Sequence, residues 1–415
     1  MPKLKSIDLF AGCGGLSLGL EQAGFETVFV NELHPDAMKT FLQNRPKSEL
    51  SNSKNHAYDI RTITKNKEIL ESFGRYIGKE HGEIDLVCGG PPCQGYSGIG
   101  HRRTFDLNKN EIPTNHLYKD MAKVVRTVAP KLFLFENVRG LLNSKWTPDG
   151  TNGEIWEDVQ KTFRNIVVKI GRQQLRYEVG FKLIFAKDFG VPQNRPRILM
   201  VGVREDLNFP LTNDDTSRGL LPKGNGEAPD LIDLFSDLID TNWRNRKEST
   251  TYLKNPSTEI QEFLRTLPNG KILKKGDSLS DQEYSNHSEA VIRKFQYMID
   301  HDSQIPESMR TKKFSQKVLP KNWGAKGPSI TATSLPDDYV HFSQPRVLTV
   351  REWARLQLFP DWYQFAGKRT TGGRRRAGDP DAGDWTREVP KYTQIGNAVP
   401  VGLAREVGLH FKKIL

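Results

Sequence analysis

Cysteine is nearly absent from this sequence: Cys13, Cys88 and Cys93 are all there is in 415 residues. So small and odd a set argues against a disulfide framework and falls short of a four-cysteine zinc site, so each thiol is left to packing or to chemistry. Long apolar runs are missing too. Nothing approaches the roughly 18 consecutive apolar residues of a membrane helix. Met1 leads into the apolar run Leu4–Leu9 without a secretory leader, which reads as a soluble, cytoplasmic protein. No metal-ligand cluster, internal repeat or low-complexity tract is visible. What is in surplus is positive charge. Lysine and arginine number 61 against 50 acids, a net charge of +11. That suits a polyanionic partner, because basic side chains release the counterions condensed on phosphates.

At 415 residues there is room for two domains. The first 205 residues alternate strand and helix signals. Strands are expected at Leu4–Leu9, Glu26–Asn31, Ile84–Cys88, Lys131–Phe135, Tyr177–Phe185 and Arg197–Val203. Helices are expected near Leu16–Ala23, at Pro35–Gln43, and at Lys119–Val128, where Pro130 closes the last. This pattern predicts an α/β fold: a doubly wound, mainly parallel sheet with helices on both faces. Residues 206–345 are richer in Asn, Ser, Thr, Lys and Pro, show no long periodic element, and read as a second, smaller, irregular domain. Within them Leu273–Ser288 reads as a polar surface excursion. Periodicity returns at Val347–Phe359, read as a helix, and at Gln394–Leu415.

The segment DLFAGCGGLSLGL, Asp8–Leu20, places three glycines on a turn between strand and helix. Glycine allows the positive-φ backbone and close ligand approach such a turn needs. Glu32 follows the second strand, where an acid can accept ribose hydroxyls. The spacing is not the G-x-G-x-x-G that cradles a pyrophosphate, so a phosphate-free ribose ligand such as S-adenosylmethionine fits better than a nicotinamide dinucleotide. Asp59-Ile60 is a candidate adenine contact; alone it reads as a loop acid.

GGPPCQGYS, Gly89–Ser97, follows the strand IDLVC. Two prolines fix the chain before Cys93, presenting its thiol at the carboxyl end of a parallel strand, where such folds place their chemistry. Cys88 reads as core packing and Cys13 as a small filler in the turn. Glu136 opens ENV at the end of the strand KLFLF, within reach of general-acid or hydrogen-bond work on a ring nitrogen. Gln193, Arg195 and Arg197 alternate in VPQNRPRI, which predicts one shared face.

Taken together and in order, these blocks resemble the bacterial cytosine-5 DNA methyltransferases, dependent on S-adenosylmethionine, over residues 4–204 and about 345–415. RVLTVREWARLQLFPD and QIGNAVPVGLA complete the set. The resemblance implies Cys93 as nucleophile, Glu136 on the cytosine N3, and Arg195, with Arg197 beside it, bracing a flipped base. It places Phe10, Ala11, Gly12, Gly14, Gly15, Leu16, Glu32, Asp59, Ile60, Pro92, Leu117, Asn397 and Ala398 around S-adenosylmethionine. The catalytic domain would be 1–205 completed by 391–415, with 206–390 a target-recognition domain reading duplex DNA. It would work as a monomer without metal, as the modification partner of a restriction endonuclease. The 94–116 stretch, with Arg102 and Arg103, would close over the substrate. Thr114 stands where the family usually has arginine, and Val401 replaces a proline common after GNAVP. Arg369 and Arg374–Arg376 are candidate phosphate contacts in a solvated loop. Three rivals are a nicotinamide-dependent oxidoreductase, disfavoured by the glycine spacing; a non-catalytic DNA binder, disfavoured by Cys93 with Glu136; and the tRNA-methylating branch, disfavoured by the long 206–345 stretch.

Overall fold

The computed structural model describes residues 3–92, 112–207, 209–210, 212–224, 226–310, 316–324, 327–330, 338–371 and 388–415. Cys93, Arg102, Arg103 and Arg374–Arg376 lie outside them. The chain forms two compact units. The first is Met1–Phe185, Pro196–Gly224 and Leu403–Leu415; the second is Ala186–Arg195 and Asn225–Gly402. The sequence put these boundaries at 205 and 391. In the structure the chain leaves the first unit twice, over Ala186–Arg195 ahead of the strand Pro196–Arg204 and again after Gly224, returning at Leu403.

In the first unit, β1 (Leu4–Leu9), β2 (Phe25–Asn31), β3 (His56–Ala57), β4 (Leu86–Gly89), β5 (Leu132–Val138), β8 (Tyr177–Phe185) and β9 (Pro196–Arg204) form one sheet, ordered β3-β2-β1-β4-β5-β9-β8. All neighbours from β3 to β5 are parallel. β9 runs antiparallel to both β5 and β8. The strand order reverses between β1 and β4, the switch point at which open α/β sheets bind ligands outside their strand carboxyl ends. A separate hairpin, β6 (Val168–Ile170) with β7 (Gln173–Leu175), precedes β8.

Burial on both faces explains the unbroken apolar runs of the central strands. Phe133, Phe135, Ile198 and Met200 pack on one face of β5 and β9, with Phe163, Trp156 and Tyr177 in the same core. Each such large side chain contributes roughly 1.5–3 kcal/mol by leaving water. The covering helices include α1 (Gly15–Gln22), α2 (Pro35–Gln43), α3 (Arg61–Thr64), α4 (Lys67–His81), α5 (Leu117–Val128) and α6 (Glu154–Arg164). In α5, Tyr118, Met121, Ala122 and Val125 recur at three- and four-residue steps and are buried. Ala129, at φ 51°, ends that helix before Pro130.

The second unit has little regular structure: short helices, one of twelve residues at Glu289–Asp300, and a two-stranded ladder of Lys317–Val318 with Tyr339–Val340. Buried ion pairs hold it. Arg355 bonds Asp237 at 2.6 Å and Asp361 at 2.5 Å, Arg265 shares Asp237, and Arg346 bonds Glu352. The expected Val347–Phe359 helix spans only Val350–Arg355, capped by Thr349 and Glu352. Leu273–Ser288 is not the surface excursion expected. Leu279, Gln282 and Tyr284 are buried, and the segment's N–H groups bond back to Lys247, Thr250 and Tyr252 among others. No helix among the described residues is long and apolar enough to cross a membrane.

Candidate active site

At the carboxyl end of β1, Phe10, Gly12 and Gly14 all have positive φ, at 58°, 58° and 86°. A non-glycine residue in that region is strained, which marks a turn its surroundings enforce. The enforcing contacts come from the end of β2. Glu32 accepts the Gly12 N–H through Oε2 and the His34 N–H through Oε1, both at 2.8 Å. Burial raises its pKa, opposed by those backbone donors. Asn31, 1% exposed, accepts the Phe10 N–H at 3.3 Å and donates to the carbonyls of Ala57 and Tyr58 at 3.0 and 2.8 Å. One side chain therefore ties the glycine turn to the segment leading into Asp59. Nothing in its sequence spacing marks it, since an Asn at a strand end reads as an ordinary terminator.

A Cβ on Gly12 would meet nothing within 4 Å. The turn therefore faces open space, rimmed by groups that suit a ribose-bearing, phosphate-free ligand: the Glu32 carboxylate and no cation in the turn itself. Leu33 and Tyr58, 53% and 47% exposed, are apolar surfaces next to Glu32 and Asp59 in the chain. Ile60 is buried, Leu117 half-buried at the start of α5, and Pro92 exposed. Asp59 pairs with Arg61 at 2.7 Å, which lowers its pKa through that hydrogen bond. Beneath the turn, Asp8 accepts the Ser17 hydroxyl at 2.6 Å. Burial lifts its carboxyl to about 7, with Ser17 opposing. Cys13 and Cys88 are fully buried, and burial pushes the Cys13 thiol up to about 12.

On the neighbouring strands Glu136 and Arg197 share a sheet face, because the register sets Glu136 opposite Leu199 and Val138 opposite Arg197. Arg197 Nε lies 2.6 Å from Glu136 Oε1. The other oxygen, Oε2, lies so near Gly90 that a Cβ there would stand 2.7 Å from it. Asn137 donates to the Pro91 carbonyl at 3.1 Å. The carboxylate is thus set against the short segment Gly90–Pro92 that runs into Cys93.

Gln193, Arg195 and Arg197 do not share a face as the alternation predicted. β9 begins at Pro196, so only Arg197 is on the strand. Arg195 belongs to the second unit, is 1% exposed, and donates to the carbonyls of Ile330, Gly396 and Ala398. Gln193 donates to the Leu356 carbonyl at 2.7 Å and accepts the Ile330 N–H. Asn397, exposed, and Ala398, buried, close the helix Lys391–Asn397 in the same unit.

An open sheet with an antiparallel strand inserted at one end, a glycine turn after its first parallel strand and an acid after the second define a methyltransferase of the S-adenosylmethionine type. More narrowly, the chain belongs to the family of C-5 cytosine-specific DNA methylases, whose sequence model matches residues 4–413, and is an enzyme, a DNA (cytosine-5-)-methyltransferase. It is similar to the Type II methyltransferase M.XorII of Xanthomonas oryzae pv. oryzae, 31% identical over 99% of this chain and 84% of that one. M.DdeI of Desulfomicrobium norvegicum is 29% identical over 98% and 89%. Among solved structures, a candidate DNA modification methyltransferase encoded within an Escherichia coli prophage aligns with a TM-score of 0.67 and 25% identity over 99% of both chains.

Proposed function

We propose that the chain methylates carbon 5 of a cytosine turned out of duplex DNA, through a transient bond from Cys93 to the base. The observation that carries this is the Glu136 carboxylate, paired to Arg197 and set against Gly90, three residues before Cys93. Inside a stacked duplex the base is out of reach, and enzymes acting on one extrude it at a cost of a few kcal/mol. The Cys93 thiolate adds to C6, and Glu136 holds a proton at N3 so that the ring takes up the electron pair and C5 becomes nucleophilic. S-adenosylmethionine, when bound, supplies a methyl group on a sulfonium. Loss of the C5 proton then expels the Cys93 sulfur and restores the aromatic ring. Holding base and thiol in line contributes roughly 7–11 kcal/mol, more than any one contact.

Phe10, Ala11, Gly12, Gly14, Gly15, Leu16, Glu32, Asp59, Ile60, Pro92, Leu117, Asn397 and Ala398 are the proposed contacts of the methyl donor. Arg195, with its donors on three backbone carbonyls, is assigned a positioning role for the Ile330 and Gly396–Ala398 segments. The second unit is the proposed reader of DNA sequence, and Arg369, which bonds the Glu283 carbonyl and the Ser285 hydroxyl, is assigned to its own loop contacts. The chain is assigned a role as a cytoplasmic, monomeric modification enzyme beside a cognate restriction endonuclease, of which the Type II names of its relatives support the modification role. The test is transfer of labelled methyl from S-adenosylmethionine to duplex DNA. Cys93→Ser is expected to abolish it and Glu136→Gln to slow it with donor binding retained; wild-type transfer by Cys93→Ser refutes the proposal. Bisulfite sequencing of DNA from expressing cells reads the target.

A further inference from the structure

Between Val159 and Tyr177 the chain carries Lys161, Arg164, Lys169, Arg172 and Arg176, and neither Asp nor Glu. All five side chains are exposed. None has a carboxylate within 4 Å among the described residues, whereas two other cations at the same end of the sheet are matched: Lys131 with Asp85 at 2.8 Å, Arg204 with Glu83 and Asp206 at 2.7 and 2.6 Å. The Glu205 carboxylate accepts the backbone N–H of Arg176, and the Glu205 N–H donates back to the Arg176 carbonyl. Lys161 and Arg164 sit in the last turn of α6, where cations complement the helix dipole. That accounts for two of the five. The other three stand on and beside the β6–β7 hairpin.

The hairpin is built to present them. Val168 is buried in the main core and Leu175, its register partner, packs against that core. Side chains alternate along a strand, so Lys169 and its partner Gln174 point the other way, outward. Gly171, at φ 58°, makes the tight turn, and Arg172 stands at its tip. The register also fixes where this happens. Tyr177 pairs with Arg204 and Leu132 with Val203, so the hairpin leads into the end of the sheet at which β5 begins. Glu136 is at the other end of β5. These cations therefore cannot serve the base that Glu136 holds.

We propose that the end of α6 and the β6–β7 hairpin form a second, sequence-independent site for the phosphate backbone of a duplex other than the one being methylated. This rests on the reading of the chain as acting on DNA. Exposed, unmatched cations on a hairpin anchored in the core neutralise phosphates and release counterions without reading bases. The flanking side chains are Gln173, Gln174 and an exposed Ile170, a single apolar side chain and no apolar face for a lipid bilayer. Nucleic acid is the polyanion that fits.

The test uses the full chain and its Lys169→Gln/Arg172→Gln/Arg176→Gln variant, titrated with a short duplex at low salt. Wild type is expected to bind two duplexes and the variant one, with kcat on saturating DNA unchanged. The weaker wild-type event should lose affinity with a log–log salt slope of about −0.9 per phosphate engaged, hence about −3 for three. A stoichiometry of one for wild type, or of two for the variant, overturns the proposal, as does a fall in kcat. Binding of wild type to phosphatidylserine vesicles that the variant loses, with duplex stoichiometry unmoved, overturns it in favour of a membrane. If the triple variant fails to fold, Arg172→Gln at the tip must weaken the second event several-fold. Loss of methyl transfer by Cys93→Ser leaves this stoichiometry untouched, so the two proposals fail separately.

Discussion

The two units differ in how far they rely on charge inside the molecule. In the first, one large cluster built around Phe133, Phe135, Phe163 and Trp156 fills the space beside a seven-stranded sheet, and a fully buried acid such as Asp8 is held close to neutral. In the second, the apolar clusters are small, such as Trp243, Tyr284 and Ile292. Its largest fully buried side chains include Arg195, Arg265, Arg346, Arg351 and Arg355, each held by carboxylates or carbonyls of the same unit. A sheet satisfies its own backbone and lets oil do the packing; a unit of short elements and loops has many buried carbonyls, and guanidinium groups with five donors satisfy them. The lesson is that these five buried arginines of the second unit are scaffold. Counting its arginines as DNA contacts overstates them.

The sharpest way to break that contrast is Asp237→Ala. It strips Arg355 and Arg265 of their shared carboxylate, and a buried pair broken from one side costs about 3–5 kcal/mol. A loss below about 1 kcal/mol in urea unfolding contradicts the scaffold role. Next comes Gly90→Ala in the first unit. Its methyl group must displace the Glu136 carboxylate, a shift near 1 Å that lowers kcat about 100-fold while the melting temperature barely moves; retained kcat breaks the link between Gly90 and Glu136. Asn31→Ala leaves the Phe10 N–H and the Tyr58 carbonyl without the Asn31 side chain, each worth about 1–3 kcal/mol when buried, while the Ala57 carbonyl keeps the Glu32 N–H. It is expected to raise the KM for S-adenosylmethionine at least about ten-fold, with kcat little changed.

Acidity separates the units more gently. Burial, with Arg346 nearby, depresses His341 from 6.5 to about 3. A depressed histidine favours the fold above its ordinary value, and that contribution is lost as pH falls from 6.5 towards 3. Asp8 is raised from 3.8 to about 7, so its contribution is present below 3.8 and lost as pH rises through 7. Between pH 7 and 4 the first unit gains and the second loses, each by at most about 1.4 kcal/mol per pH unit. His341→Gln and Asp8→Asn should each flatten one slope in calorimetric scans, and unchanged slopes contradict the assignment. The smallest effect is Asp59→Ala, which removes an exposed pair with Arg61 and should change stability by less than about 1 kcal/mol, measurable in the same urea series.

Much of the first unit is legible in the residues. Leu4–Leu9, Pro35–Gln43 and Tyr177–Phe185 coincide with elements residue for residue, because turn glycines and a first-turn proline punctuate strong apolar patterns. Helix α4 escaped, since only Phe73, Ile77 and His81 of its fifteen residues are buried and the stripe is too narrow to stand out. The second unit is less legible in its residues. Arg355 finds Asp237 at a sequence distance of 118, and no local period records such a pairing. The same holds at the site. Glu32 and Glu136 sit at strand ends the pattern located, while Asn31 and Gly90 act through contacts that only the folded chain assembles. Arg195 and Arg197, two apart in sequence, part company because the strand starts between them.

The proposed chemistry depends on Cys93 bonding the base. Incubating the enzyme with S-adenosylmethionine and duplex DNA whose target cytosines carry fluorine at C5 blocks the final proton loss, since fluorine cannot leave as a cation. Mass spectrometry of the digested complex should find the methylated, fluorinated pyrimidine on the peptide containing Cys93 and on no other. An adduct on Cys13 or Cys88, or methyl transfer with no trapped complex at all, contradicts it.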